Sequence, residues 1–261
     1  MSHGHGYIFA DEHDNSAQRF GALSELYDAS TAGYIERLGI ARGSTCLEVG
    51  AGGGSVARWL AARVSPGRVV ATDRAMPVFD VSGLANLELL QHDIAAESLP
   101  ASTFDFVHAR LVLMHLPDPE LAVARMVRAL RPGGWVMLEE FAVPALNSET
   151  GVDGETPLRA SVAFRAVMER SGVDMQCGRR LPGVMRTHGL GSIGGHGRIS
   201  LWTGGSAGAH LMRSNYVGLR KRMIEEELIA AVDFDADLAR LNDPEFLAVS
   251  PAMWSVWGRL P

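Results

Sequence analysis

The sequence predicts a doubly wound α/β fold. Three observations carry this. A short apolar run, Thr45–Val49, passes into a turn with Gly50, Gly52, Gly53 and Gly54 and then a helix-like stretch from Ser55. A β-branched run, Arg68–Thr72, ends in Asp73, 25 residues after Glu48. Strand-like and helix-like runs then alternate as far as Phe141. Strand, tight glycine turn and helix is the first unit of such a fold, and ligands sit at the carboxyl ends of its strands. Glycine takes backbone angles that a Cβ forbids, and the helix behind the turn offers unpaired N–H groups.

Composition sets the frame. The chain has 261 residues, long enough for one large domain or a domain with a cap. Its apolar content of 47% supports a full core. A net charge of −6 argues against a nucleic-acid partner. No apolar run reaches the ~20 residues of a membrane span, and the N-terminus lacks signal-peptide regions. The two cysteines, Cys46 and Cys177, suit a reducing compartment. The expected location is the cytoplasm, with no membrane partner, and a homodimer is compatible with the sequence. Ser2–Gly6 reads as a disordered tail whose His3 and His5 hold no metal, and no metal site is expected elsewhere.

The elements follow in order. Asn15–Leu38 reads helical, with Phe20, Leu23, Leu26 and Tyr27 on one face and a break at Ser30 before a second helix with Tyr34, Ile35 and Leu38. Gly39–Gly43 leads into the first strand. Leu87–Leu90 is the third strand, followed by Gln91–Ile94. Phe104–Ala109 is the fourth, then Arg110–Asp118, a helix over Asp118–Arg131, a turn at Arg131–Gly134 and a fifth strand over Trp135–Glu139. Pro157–Gly172 and Leu181–Gly189 read as helices. Ile193–Trp202 reads as the sixth strand, with an irregular glycine-rich start. A long helix spans Ala207–Val232 and a short one Phe234–Leu241, and Ala252–Gly258 ends the chain as an alternating strand.

The turn pattern is E-x-G-x-G-x-G, and the sixth position from Gly50 is Ser55 where a dinucleotide fingerprint has Gly or Ala. It resembles motif I of the class I S-adenosylmethionine-dependent methyltransferases. The Leu130–Gly134 turn (L-R-P-G-G) before a strand, and the Leu113–Met114–His115 stretch after the fourth strand, resemble the menaquinone- and sterol-type small-molecule branch. The resemblance covers Thr45–Phe141. It implies a Rossmann-like seven-stranded sheet with an antiparallel last strand and a helical cap. It divides the chain into an N-terminal helical lid (1–44), the core (45–203), a cap insertion (204–250) and the final core strand (251–261).

The resemblance also implies the cofactor, S-adenosylmethionine, and a set of residues to hold it. These are Tyr7, Arg19, Glu48, Gly50, Gly52, Asp73, Arg74, Asp93, Ile94 and Arg110. Asp73 would accept both ribose hydroxyls, a task suited to a carboxylate. Asp93 would accept from the adenine amino group with Ile94 packed on the ring, and Arg19 would reach the cofactor carboxylate. The implied reaction moves a methyl group to O or N of a small-molecule substrate by in-line displacement. A C-methyltransferase of a quinone- or sterol-like substrate, or a cyclase on the same fold without methyl transfer, stays open. His115 is the first candidate base and Glu140 the second, with packing as the alternative for His115. Trp202, His210 and Tyr216 could line the substrate pocket or belong to the core.

Overall fold

The computed structural model describes residues 13–76, 79–143 and 158–261, and the side chains from residue 16 onward. Two compact units emerge from the contacts. The second comprises Tyr27–Phe141, Gln176–Gly197 and Met253–Pro261. It contains the main sheet, ordered β3-β2-β1-β4-β5-β9-β6, with β9 antiparallel to its neighbours. The strands are β1 (Thr45–Val49), β2 (Arg68–Asp73), β3 (Leu87–Gln91), β4 (Phe104–Arg110), β5 (Leu130–Ala142), β6 (Gly191–Arg198) and β9 (Ala252–Arg259).

Residue chemistry accounts for these elements. β1, β2 and β4 are parallel neighbours buried on both faces, so they read as continuous apolar runs. Helix α2 (Ser55–Val64) buries Val56, Ala57, Leu60, Ala61 and Val64, one stripe at helical spacing. That stripe joins Cys46, Val69, Ala71, Phe106 and Met137 in one core cluster. Full burial of a side chain such as Leu60 or Phe106 contributes ~1.5–3 kcal/mol. Burial pushes the Cys46 thiol up to about 12, so this cysteine packs as a small hydrophobe. Helix α3 (Pro119–Ala129) starts on Asp118, whose Oδ1 accepts from the Leu121 N–H at 2.9 Å, with Pro119 at its first position.

The first unit comprises residues 1–26, 142–175 and 198–252, so it adds the start of α1 and residues 142–175 to the segment between the sixth and seventh main strands. Among its described residues, helices α4 (Arg159–Arg170), α6 (Ala207–Glu225) and α7 (Ala231–Arg240) pack together, and β7 (Leu201–Thr203) pairs antiparallel with β8 (Leu247–Val249). Asp237 Oδ2 accepts from the Ala160 N–H at 2.8 Å, and Phe164 meets Tyr216 at 5.5 Å between ring centroids. Trp202 and Tyr216 are buried in this unit, whereas His210 is exposed. A Cβ on Gly208 would lie 2.0 Å from the Trp202 ring, so glycine is required there.

Several boundaries differ from the sequence reading. Helix α1 (His13–Leu38) runs unbroken through Ser30, whose hydroxyl donates to the Tyr27 carbonyl at 2.8 Å instead of interrupting the helix. Helix α5 spans Cys177–Thr187, earlier than expected, with Pro182 inside it rather than at its start. β5 begins at Leu130, because Arg131–Gly134 forms an irregular stretch within the strand. Gly133, at φ 80°, donates its N–H to Leu260 O, and Leu260 N–H returns to Gly134 O. The expected sixth strand splits at Ile199–Ser200, and Ser200 exchanges hydrogen bonds with Ser250 as the chain leaves for the small sheet. The long helix after Ser206 breaks between Glu225 and Ala231, where Glu227 has φ 55° and Leu228 N–H bonds Met223 O.

Candidate active site

Parallel pairing brings several strand ends to one edge of the second unit. Val49 stands beside Thr72 and Ala109, and Asp73 beside Gln91. The glycine turn is tied to that edge. Ala51 N–H bonds Thr72 O at 2.9 Å, and Gly52 N–H bonds Asp73 Oδ2 at 3.0 Å. His92 N–H bonds Asp73 O at 2.8 Å. Gly50, Gly52 and Gly54 all have positive φ, at 71°, 50° and 76°. At Gly50 and Gly54 the missing Cβ makes room for the protein itself. A Cβ would lie 2.3 Å from Val112 Cγ2 at Gly50 and 2.4 Å from the Phe79 ring at Gly54.

The other candidate residues fall as follows. Asp73 is half-buried and Arg74 exposed, its carbonyl accepting from Gln91 Nε2 at 3.1 Å. Asp93 closes a turn, with Oδ1 accepting from Ala95 N–H at 2.9 Å, and Ile94 is buried. His115 is half-buried at the end of a 3-10 turn, Leu113–His115, and Leu111 just before it has φ 57°, a strained angle for leucine. Glu48, Gly50, Gly52, Asp73, Arg74, Asp93, Ile94, Arg110, His115 and Glu140 all belong to the second unit. Arg19 belongs to the first, where its guanidinium lies 5.0 Å over the Phe20 ring. Tyr7, His3 and His5 lie outside the described residues.

Two acids expected at the site, Glu48 and Glu140, are spent within the protein, as is their neighbour Glu139. Glu48 is buried, and its Oε2 is 2.7 Å from His108 Nδ1. His108 Nε2 is 3.1 Å from Glu139 Oε2. Glu139 Oε2 also accepts from the Thr31 hydroxyl at 2.5 Å, and Oε1 from the Ser255 hydroxyl. Arg110 donates to Thr31 Oγ1 at 3.2 Å and to Asp28 Oδ1 at 2.8 Å, so its guanidinium is engaged with α1. On the opposite face of β5, Glu140 is fully buried. Its Oε1 accepts from the Val112 and Leu113 N–H groups at 2.8 and 2.6 Å, which anchors the segment leading to His115.

The electrostatics follow burial and partners. Desolvation would lower the His108 pKa, yet Glu48 and Glu139 overcome it and raise it to about 9, so the ring is an imidazolium. Desolvation would likewise raise Glu139, but His108 and then Arg110 and Ser255 pull it below the usual carboxylate range. Among the described residues no cation faces Glu140, and burial pushes it up to about 8 against the three backbone N–H groups that favour its charge. His108 is the residue that sequence reasoning missed. Its signal was available: a histidine inside an apolar strand requires partners, and acids occupy the neighbouring strands.

The chain matches the family described as Methyltransferase domain over residues 47–138. It is 36% identical over 174 residues to a ubiquinone biosynthesis O-methyltransferase of Paracidovorax citrulli, covering 60% of this chain and 71% of that protein. It is 32% identical over 119 residues to a ubiquinone/menaquinone biosynthesis C-methyltransferase of Saccharophagus degradans, covering 42% and 48%. The chain spans about half the length of several curated relatives that it matches. Its fold is similar to phosphoethanolamine N-methyltransferase 2 of Haemonchus contortus, with a TM-score of 0.56, 15% identity, 89% of this chain and 52% of that one. The fold and the strand-end edge are those of class I methyltransferases, and the chain belongs to the small-molecule S-adenosylmethionine-dependent family of that class. The cofactor of that family is S-adenosylmethionine.

The residues present fit that group. A half-buried carboxylate, Asp73, is fastened to the turn by the Gly52 N–H and stands at the strand edge where a ribose diol would be received. Among the described residues, no helix is long and apolar enough to cross a membrane, and no cluster of three ligating side chains could hold a metal.

Proposed function

We propose that the chain transfers a methyl group from S-adenosylmethionine to an oxygen or nitrogen of a small organic molecule. The observation that carries this reading is the Asp73 carboxylate locked to the glycine turn at the strand ends. When bound, the cofactor supplies a methyl carbon that its sulfonium makes electrophilic. Asp73 accepts the ribose hydroxyls, and Asp93 accepts from the adenine amino group while Ile94 packs against the ring. Arg19, Tyr7 and Arg74 are the further candidates for the cofactor's polar groups. His115 takes the proton from a substrate hydroxyl as the new bond forms. Glu140 keeps the backbone at Val112 and Leu113 in place, and so orients the turn that presents His115. A second reading, methylation at carbon, is favoured by the similarity to the quinone C-methyltransferase.

The test combines binding and product analysis. Asp73→Ala should weaken S-adenosylmethionine binding by about 2–4 kcal/mol in calorimetry, the worth of two charge-assisted hydrogen bonds. A folded variant with unchanged affinity would remove Asp73 from the ribose site. Incubation of the wild type with methyl-labelled cofactor and panels of phenols, amines and quinols should label the first two classes. Label at ring carbon instead would replace the O/N reading with the second one. His115→Ala should slow turnover by ~10²–10⁴ with cofactor affinity intact; a wild-type rate would make His115 a packing residue.

A further inference from the structure

A buried chain of polar groups that the proposed reaction does not use lies beneath the glycine turn. Its centre is His108, fully buried on β4, with a carboxylate on each ring nitrogen. An ionised carboxylate only accepts, so both nitrogens must donate and the ring carries a charge. The surrounding groups come from every neighbouring element. Glu48 faces the ring from β1 and Glu139 from β5, with Ser255 of β9 on the far oxygen of Glu139. Thr31 and Asp28 of α1 join through Glu139 and Arg110. The links are continuous, from Glu48 through His108, Glu139, Thr31 and Arg110 to Asp28. One end of this chain is the acid two residues before the turn, and the other is the helix.

Such a chain is costly to bury and gains only if every link is made. Packing alone would be served by apolar residues of the same size. Its arrangement does what apolar packing cannot: it makes the orientation of the Glu48 carboxylate depend on whether α1 is seated. We propose that His108 is a positioning residue for the cofactor. Its imidazolium fixes the Glu48 carboxylate behind the glycine turn and, through Glu139, Thr31 and Arg110, couples that carboxylate to the docking of α1. This inference rests on the cofactor reading above.

The experiment uses the whole chain, with S-adenosylmethionine as the probe. Affinity is measured by calorimetry, and the seating of α1 by amide hydrogen exchange over Tyr27–Leu38. His108→Gln can serve one carboxylate only; it should bind the cofactor about ten-fold more weakly and exchange faster over that helix. Thr31→Val, a change on α1 alone, should also weaken binding several-fold, and Thr31→Ser should restore it. The pH profile supplies a readout that simple loss of packing would not move. Wild-type affinity should fall as pH rises through about 9, where the imidazolium loses its proton, and His108→Gln should lack that fall. Titration of the cofactor itself is common to both proteins and cancels.

Folded His108→Gln with wild-type affinity overturns the proposal. So does a Thr31→Val variant whose helix exchanges faster while its affinity stays unchanged. Wild-type protein that binds no S-adenosylmethionine would overturn the cofactor reading as well, so the two failures are distinguishable.

Discussion

The two faces of β5 carry adjacent glutamates with the same burial and opposite chemistry. Glu139 lies in a network with an imidazolium and two hydroxyls, and its pKa is lowered. Among the described residues Glu140 meets only backbone N–H groups, and its pKa is raised to about 8. Burial disfavours the charge in both. What separates them is a cation within hydrogen-bond distance, which three peptide dipoles do not replace. The first face is held by charge, and the second by a carboxyl that is protonated over much of the neutral range.

The largest test removes the charged side. Glu139→Leu takes one of its two carboxylates from the buried His108 and the acceptor from the Thr31 and Ser255 hydroxyls, and should cost about 3–5 kcal/mol in urea unfolding. A loss below about 1 kcal/mol would mean that the network contributes little net stability.

The next test concerns pH and sharpens the contrast. Glu140 has a folded pKa of about 8 against an ordinary 4.5, so the folded state keeps a proton that the unfolded chain has lost. Stability therefore falls as pH rises from 4.5 through about 8. Glu140→Gln keeps an oxygen for Val112 and Leu113 and removes that slope, so the wild type should lose on the order of 5 kcal/mol relative to the variant over this window. The Glu139 face behaves the other way. Its contribution is present above the ordinary carboxylate pKa of 4.5 and is lost as pH falls through the depressed folded value. That of His108 is full below 6.5 and is lost as pH rises through about 9. Parallel pH profiles for the wild type and Glu140→Gln would erase the distinction between the two faces.

The smallest effect is at Ser255. Ser255→Ala leaves Glu139 Oε1 without one donor and should cost ~1–2 kcal/mol by the same unfolding assay. A neutral result would mean that the imidazolium and Thr31 alone hold Glu139.

The sequence was most legible where local rules decide the structure. The glycine turn, the strand-end acid Asp73 and the order of elements from Thr45 to Phe141 follow from periodicity and turn chemistry. Elsewhere a partner outside the local pattern sets the outcome, in some cases one turn away and in others far along the chain. Ser30 is helical because its hydroxyl finds a carbonyl one turn back, and Pro182 sits within a helix that starts earlier than its own position suggests. At Gly50 and Gly54 a Cβ would meet Val112 and Phe79, neighbours that the turn pattern does not reveal. Glu140 was read as a candidate base because it ends a strand at the ligand edge; its partners on the post-β4 segment are 28 and 27 residues away and invisible to local pattern. The pairing of Glu48 with His108 spans 60 residues and emerges only once β1 and β4 are known to be neighbours.

The strand order also has a consequence for the sequence of events during synthesis. β9 lies between β5 and β6, yet it is made after both of them. Until Ala252–Arg259 has left the ribosome, β5 presents an open edge, β6 has no strand to join, and Glu139 waits for the hydroxyl of Ser255. The ribosome therefore releases a nearly complete sheet with a slot in it, and the final strand must enter between two edges rather than add to one. Non-local closure of this kind is slow, and an open edge is a template for pairing with other chains. The nascent chain is thus most exposed to misassembly in the interval before β9 is made, after the residues of its glycine turn have long been in place.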